Sequence, residues 1–302
     1  MPLLPRKWTR HELTVHGERA LQLFVDWFKS QGNASYRRAF ADADLAVRDL
    51  FEATNDLLDL GSSTVQAKDR ARREAVRYLA GPPLSDDDLR TVAGVLKVWE
   101  PDRLDDLVRV VLDTIDPIRF EWLFREPRRK PTELTREVAI RWTAGLIAAS
   151  HASTERRNVP SRRQERRVDE ALAASNPPFV KVEPRPITSL RDLNPGEYCR
   201  QSTVGTTRAD LSIALRDRTR LLALECKVSN SEVNSYKRLI HEVGNKLRAW
   251  QSSFGQSCLT GAVLAGAFSV DNLSAAQDAG IYLFWEHDLS SLVDFVQRAK
   301  AN

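Results

Sequence analysis

The chain has 302 residues, of which 42% are hydrophobic and 28% charged, a composition that is typical of globular proteins and excludes a disordered chain. It contains no apolar run of the ~18 residues that a membrane span requires, its first ten residues lack the apolar core of a signal peptide, and its three scattered cysteines show neither disulfide nor zinc-ligand spacing, which favours a reducing cytoplasm. The formal net charge of +4 is compatible with nucleic acid as a partner but does not require it.

Residues 1–148 have the pattern of a helical domain. Thr9 and Glu12 are spaced as a capping box, and apolar residues then recur at helical spacing, in one helix near the N-terminus and in a second long helix around 45–58. After a break at 81–83, Ser85 is the predicted N-cap of a further helix. This half of the chain contains no candidate catalytic residue.

From residue 149 onward, helical patterns alternate with short apolar runs. After a polar, arginine-rich stretch, helices are predicted over 161–175, 230–251, 272–279 and 289–299. Strands are predicted over 197–204, 210–215, 221–228, 259–268 and 281–286. The order of helix, three strands, helix and strand, with a further strand and helix, predicts an α/β domain over 149–302 in which helices flank a mixed sheet.

The arginine-rich stretch carries six arginines between positions 156 and 167. DNA phosphates favour such clusters because binding releases condensed counterions. Arg162 and Arg163 are therefore candidate phosphate contacts. The alternative is a solvated linker followed by a solvated helix face.

Two of the predicted strands form a hairpin around the polar turn 216–220. If the hairpin is symmetric about Asp217 and Arg218, Asp210 lies directly opposite Glu225. Opposed residues share a face of the sheet, with Cβ atoms ~5 Å apart, and residues two apart on one strand share that face as well. One short hairpin thus brings Asp210, Glu225 and Lys227 together.

Two opposed carboxylates repel each other, and a divalent cation between them would remove the repulsion. Mg²⁺ prefers oxygen ligands and is commonly held by one or two carboxylates together with substrate phosphate. We therefore predict a Mg²⁺ site at Asp210 and Glu225, with the Cys226 backbone carbonyl as a further ligand and Mn²⁺ as a substitute ion. Lys227 would orient or help to deprotonate the attacking water and stabilise developing negative charge. The alternative is an exposed hairpin end that carries a simple charge pair.

These residues, within their order of helix, three strands, helix and strand, resemble the PD-(D/E)xK nuclease superfamily, although Ala209 stands where a proline often precedes the first Asp. A closer resemblance, to the XamI-type family of type II restriction endonucleases, is carried by Arg208-Ala-Asp210, Glu225-Cys-Lys-Val-Ser-Asn-Ser231, Asn234-Ser235, Lys237-Arg-Leu239, Val263-Leu-Ala-Gly266 and Phe284-Trp-Glu-His-Asp288. The resemblance implies site-specific cleavage of double-stranded DNA at a short palindrome by a homodimer. It also implies a cognate DNA methyltransferase in the same system.

The helix after the second hairpin strand is predicted to begin with a capping box of Ser229 and Glu232. Its apolar residues recur at spacings of three and four and are predicted to be core: Val233, Tyr236, Ile240, Val243, Leu247 and Trp250. Its first turn closely follows Lys227, which makes its polar residues candidate DNA contacts: Asn234, Ser235, Lys237 and Arg238. The alternative is a solvated helix face.

On the earlier helix, Glu165 stands among the core positions Val168 and Leu172, where an acidic residue is unusual. In the nuclease superfamily a glutamate from this helix sometimes approaches the metal. The resemblance therefore makes Glu165 a candidate further metal ligand. Pairing with a nearby arginine is the alternative.

Three functions compete for this sequence: a site-specific restriction endonuclease, a repair or recombination nuclease without sequence specificity, and a non-catalytic DNA-binding protein that kept the fold. The intact set of Asp210, Glu225 and Lys227 argues against the third. The helical half, which is large enough for DNA recognition or dimerisation, favours the first over the second.

Overall fold

The computed structural model describes residues 6–61 and 70–299, and of Arg157 only the backbone. Contacts divide the chain into two compact units. The sheet unit comprises Met1–Lys29 and Arg157–Asn302, and the helical unit comprises Ser30–Arg156.

This division differs from the predicted domains 1–148 and 149–302, because the first residues of the chain pack in the sheet unit. Trp8 and Leu13 lie in the same buried cluster as Leu283, and the Trp8 indole N–H donates to the Leu283 carbonyl at 2.9 Å. A helical pattern alone does not reveal which core a helix joins.

The helices and strands have the following bounds. The helices are α1 (Arg10–Ala53), α2 (Arg70–Arg77), α3 (Asp86–Val92), α4 (Leu104–Thr114), α5 (Glu133–Ala173), α6 (Glu232–Tyr236), α7 (Gly244–Phe254), α8 (Val270–Asp278) and α9 (Ser290–Arg298), and a π-helical segment, Lys237–Val243, joins α6 to α7. The strands are β1 (Val180–Lys181), β2 (Glu197–Arg200), β3 (Thr203–Val204), β4 (Thr207–Arg208), β5 (Leu211–Ala214), β6 (Leu221–Ser229), β7 (Cys258–Gly266) and β8 (Tyr282–Trp285).

Six of the strands form one sheet in the order β1-β2-β5-β6-β7-β8, and β3 and β4 form a separate two-stranded ribbon. Strands β2, β5 and β6 pair antiparallel, whereas β6, β7 and β8 pair in parallel. The sheet is therefore mixed, and with the helices that pack on it, it confirms the predicted α/β fold.

The hairpin of β5 and β6 has the predicted register. Leu211 pairs with Leu224 and Ala214 with Leu221, so that continuing the ladder by one residue places Asp210 opposite Glu225. The register depended on the turn being centred on Asp217 and Arg218, and the turn satisfies this because the Asp217 carboxylate accepts backbone N–H bonds within it.

Helices cover both faces of β6. Leu224 and Cys226 share a buried cluster with Val168 of α5, whereas Ala223 shares one with Trp250 of α7. Because side chains alternate between the faces of a strand, the odd-numbered residues of β6 face α7. The strand thus directs its two charged side chains to the α7 side of the sheet.

The predicted helix caps of the N-terminal half are confirmed. The Glu12 carboxylate accepts from the Thr9 backbone N–H at 2.7 Å, and Ser85 caps α3, with Asp88 completing a capping box. The two helices predicted in the first 58 residues form a single helix of 44 residues, α1. Turn signals between them were too weak to end the helix.

The polar linker predicted after residue 149 is a continuous part of α5, which contains Pro160 in its interior. A proline removes one backbone donor and crowds the carbonyl of the preceding turn, yet the long helical flanks on both sides keep the backbone helical. The described arginines of the segment 156–167 therefore lie on a helix, and the side chain of Arg157 lies outside the described residues.

In the part of the chain that the structure describes, no helix combines the length and apolar character needed to cross a membrane. The three cysteines are free and buried.

Candidate active site

Glu225 is completely buried, with 0% of its surface exposed. Its Oε1 accepts a hydrogen bond from the Lys246 ammonium group at 2.7 Å. Its Oε2 lies 2.9 Å from Lys227 Nζ in an ion pair that is less well directed than the bond from Lys246. The two oxygens of one buried carboxylate are therefore in different environments.

Asp210 precedes β5 and is fixed to the neighbouring strand. Its Oδ2 accepts the backbone N–H of Cys226 at 2.7 Å, and its carbonyl accepts the backbone N–H of Gln201 at 2.8 Å. The first bond joins Asp210 to the residue that follows Glu225 in β6.

Lys227 is the third member of the set and lies among carboxylates. Its Nζ is 2.9 Å from Glu225 Oε2 and 3.4 Å from Glu242 Oε2. Burial by itself would lower the pKa of Lys227, but the charges of Glu225, Asp210 and Glu242 outweigh it, and the net pKa is raised. The side chain is therefore an ammonium ion at neutral pH, suited to stabilising an anion.

Lys246 and Glu242 belong to the site, although the sequence pattern did not predict them. Both lie after β6 in the helical region 232–254, four residues apart, a spacing that is typical of an ion pair within one helix. In the structure each contacts the hairpin residues instead: Lys246 binds Glu225, and Glu242 lies beside Lys227. The spacing was a visible signal, but it did not reveal the partners.

The π-helical segment explains why the predicted core stripe of this helix is wrong in its first half. Val233 and Tyr236 are exposed, and Leu239 is buried in their place, together with the correctly predicted Val243. Hydrogen bonds from i to i+5 widen each turn of a π-helix, so an unbroken 3.6-residue repeat assigns the wrong face to the residues before the segment.

The predicted cap of this helix is also wrong by two residues. Ser231, not Ser229, caps α6 and accepts the Asn234 backbone N–H at 3.3 Å. Ser229 is the last residue of β6, and its hydroxyl donates to the Ser231 carbonyl.

Three of the four DNA contacts predicted on this helix point outward. Asn234 and Lys237 are exposed, and Arg238 is half-buried. Ser235 is fully buried: its hydroxyl donates to a carbonyl of its own helix and accepts from the Asn272 side chain. The DNA contact predicted for Ser235 is therefore wrong, because this residue lies on the inner face of α6.

The two candidate arginines of α5 differ in environment. Arg162 is exposed. Arg163 is held by the buried carboxylate of Glu286, with Nε 3.0 Å from Oε1 and a second bond of 3.3 Å to Oε2, and its guanidinium lies over the Trp27 ring. Arg163 therefore has a structural partner, whereas Arg162 has its side chain in solvent.

Glu165, the predicted further metal ligand, pairs with arginine. It is buried, forms a short ion pair with Arg200 and accepts a hydrogen bond from Gln201. Its helix packs on the Cys226 face of β6, where burial, with Asp210 and Glu165 nearby, raises the pKa of the Cys226 thiol well above its usual range. The pairing alternative thus describes Glu165, because a residue pattern shows that an acid is buried but not what neutralises it.

The residues present fit a magnesium ion. No group of three or more His, Cys, Asp and Glu side chains suited to a metal occurs in the described residues, but magnesium commonly takes only one or two carboxylates from a protein. Asp210 and Glu225 supply two. The buried Glu225 Oε2 is held only by its ion pair with Lys227, which leaves it able to bind a cation as well.

Comparisons with known proteins identify relatives of this chain. The family model described as XamI restriction endonuclease matches residues 56–285. The type II restriction enzyme XamI of Xanthomonas campestris pv. amaranthicola is 40% identical over 190 residues, which cover 60% of this chain and 67% of that enzyme. Among solved structures, protein VC1899 from Vibrio cholerae aligns over 89% of this chain and 58% of its own, with 11% identity and a TM-score of 0.29, a likeness too low to support any conclusion.

Proposed function

The chain belongs to the XamI family of type II site-specific restriction endonucleases, and we propose that it hydrolyses phosphodiester bonds of double-stranded DNA in a Mg²⁺-dependent reaction at Asp210, Glu225 and Lys227. The observation that carries the proposal is the buried Glu225 carboxylate, which two lysine ammonium groups contact, Lys227 at Oε2 and Lys246 at Oε1. A hairpin that served only structure would gain little from burying this carboxylate, because removing an ion from water costs several kcal/mol.

In this proposal Asp210 and Glu225 hold the cation, with the Cys226 carbonyl as a further ligand and Mn²⁺ as an effective substitute. Bound Mg²⁺ would polarise the scissile phosphate and acidify water. The Cys226 N–H fixes Asp210 Oδ2, which leaves Oδ1 as the more available ligand atom of that carboxylate.

Lys227 stabilises negative charge on the phosphate and orients the attacking water. Its raised pKa keeps it charged at neutral pH, which favours electrostatic stabilisation over proton abstraction in the cation-free protein. Glu242, 3.4 Å from Lys227 Nζ, restrains the ammonium group.

The arrangement supports a PD-(D/E)xK nuclease core. A repair or recombination nuclease of the same superfamily would use the same residues but leave random ends. Digestion of plasmid DNA with Mg²⁺ distinguishes the two: we expect discrete fragments, and a smear would favour the non-specific nuclease. A neighbouring DNA methyltransferase gene would agree with a restriction-modification system acting in the cytoplasm.

Arg162 is expected to contribute DNA affinity through one phosphate contact, because it is exposed on α5. Arg162→Ala should weaken binding to all sequences alike and reduce the slope of log K against log salt concentration by ~0.9. Fluorescence anisotropy between 50 and 200 mM salt, about the range over which such contacts change affinity, measures this slope. Arg298→Ala, which removes another exposed arginine, from α9, is the control. Equal slopes in the two variants would show that Arg162 lies on a solvated helix face and does not contact DNA.

We further propose that the protein acts as a homodimer on DNA. A palindrome has two-fold symmetry, and each chain carries one set of Asp210, Glu225 and Lys227. A double-strand break therefore requires two chains bound together or two successive binding events by one chain. Light scattering of the DNA complex should give two chains per duplex, and supercoiled plasmid should become linear without accumulating nicked circles. A monomer on DNA that accumulates nicked circles would contradict the dimer.

A further inference from the structure

The two oxygens of Glu225 are held by different kinds of contact. Oε1 accepts a well-directed 2.7 Å hydrogen bond from Lys246, whereas Oε2 forms a less well directed 2.9 Å ion pair with Lys227. Lys246 therefore holds Oε1 more firmly than Lys227 holds Oε2, and Oε2 is the oxygen more open to a further partner.

Lys246 comes from a separate element of the fold. It lies on α7, its side chain is 24% exposed, and its ammonium nitrogen is 6.0 Å from the centroid of the Trp250 ring. Trp250 is fully buried, so the lysine extends from a fixed part of the helix toward β6. Its position on Glu225 is set by helix packing and not by the hairpin.

We propose that Lys246 is a positioning residue that reserves Glu225 Oε1, so that Glu225 offers a cation only Oε2. This inference rests on the proposed function, because it concerns the same metal site. Mg²⁺ is small and demands near-ideal octahedral geometry, whereas Ca²⁺ readily accepts a bidentate carboxylate. A lysine that blocks one oxygen therefore favours Mg²⁺ over Ca²⁺.

The alternative is that Lys246 merely neutralises a buried charge. Removing a positive charge then strengthens the binding of both ions by the same factor, because they carry equal charge and occupy the same place. If Lys246 instead keeps Oε1 from the ion, removing its hydrogen bond strengthens Ca²⁺ binding more than Mg²⁺ binding, because Ca²⁺ readily accepts a bidentate carboxylate. The ratio of the two affinities separates positioning from charge.

The experiment measures how Mg²⁺ and Ca²⁺ displace Mn²⁺ from the intact protein without DNA, using the electron paramagnetic resonance signal of free Mn²⁺. In Lys246→Met we expect the affinity for Ca²⁺ relative to Mg²⁺ to rise about tenfold, the effect of one net hydrogen bond. Lys246→Arg, which keeps a donor, and Arg248→Met, which removes an exposed cation of the same helix, should keep the wild-type ratio. An equal change for both ions in Lys246→Met would overturn the proposal.

A crystal structure of the wild-type protein with Mn²⁺ tests the same inference without a variant that could fail to fold. We expect Mn²⁺ at Oε2 and the Lys246 ammonium still bonded to Oε1. Mn²⁺ on Oε1 or on both oxygens would overturn the proposed role of Lys246 but not the proposed metal site. A wild-type protein that binds no Mn²⁺ in either measurement would overturn the proposed metal site and this inference with it.

Discussion

Glu225→Gln is expected to reduce the single-turnover rate constant of DNA cleavage by about 10²- to 10³-fold, the effect of removing one preorganised electrostatic contact to the transition state. The substitution keeps the shape of the side chain but removes the charge that would hold the cation. Asp210→Asn and Lys227→Met should have effects of the same order. Because the three residues act as one unit, combining the substitutions should add little further loss.

Stability must be measured alongside these rates, because Glu225 is the buried partner of two lysines. Removing one partner of a buried ion pair typically costs about 3 kcal/mol, and the assays should run well below the melting temperature of the variant. Asp217→Ala is the matched control from the same hairpin. Its carboxylate accepts the N–H groups of Thr219 and Arg220, so its loss should cost about 1 kcal/mol of stability and leave the cleavage rate nearly unchanged. Full activity in folded Glu225→Gln would rule out its assignment to the active site.

Removing divalent cations is expected to stop cleavage entirely. With EDTA in excess the DNA should remain intact, and Mg²⁺ or Mn²⁺ should restore the wild-type fragment pattern, because the site offers only oxygen ligands to the ion. Ca²⁺ should support DNA binding without efficient cutting, since it accepts looser geometry than the reaction needs. Cleavage and gel-shift assays on the same DNA measure both properties, and cleavage that persists in excess chelator would exclude a metal-dependent mechanism.

The hairpin could be predicted from the sequence because its constraints are local. Two apolar strands joined by a polar turn can pair in only a few registers. A slip of one residue would move every side chain of β6 to the opposite face of the sheet. The observed pairing of Leu211 with Leu224 follows from those constraints. The placement of Asp210, Glu225 and Lys227 on one hairpin needed no knowledge of the rest of the fold.

The surroundings of the hairpin depend on distant parts of the chain, and there the predictions were incomplete. Lys246, the partner of Glu225 on α7, follows a π-helical segment, Lys237–Val243, that no residue pattern marks. Ser235, in α6 before that segment, lies inside the protein. Glu165 was recognisable as a buried acid, but its partner Arg200 lies on β2, and only the tertiary structure brings the two together.

The proposed function is tested most directly by mapping the ends produced in a DNA of known sequence, with wild-type protein and Glu225→Gln treated in parallel with Mg²⁺. The wild-type protein should cut at fixed positions within every copy of one short palindrome, and the variant should leave the DNA intact. Ends scattered without regard to sequence would contradict site-specific cleavage. The same ends from the variant would contradict an active site built on Glu225.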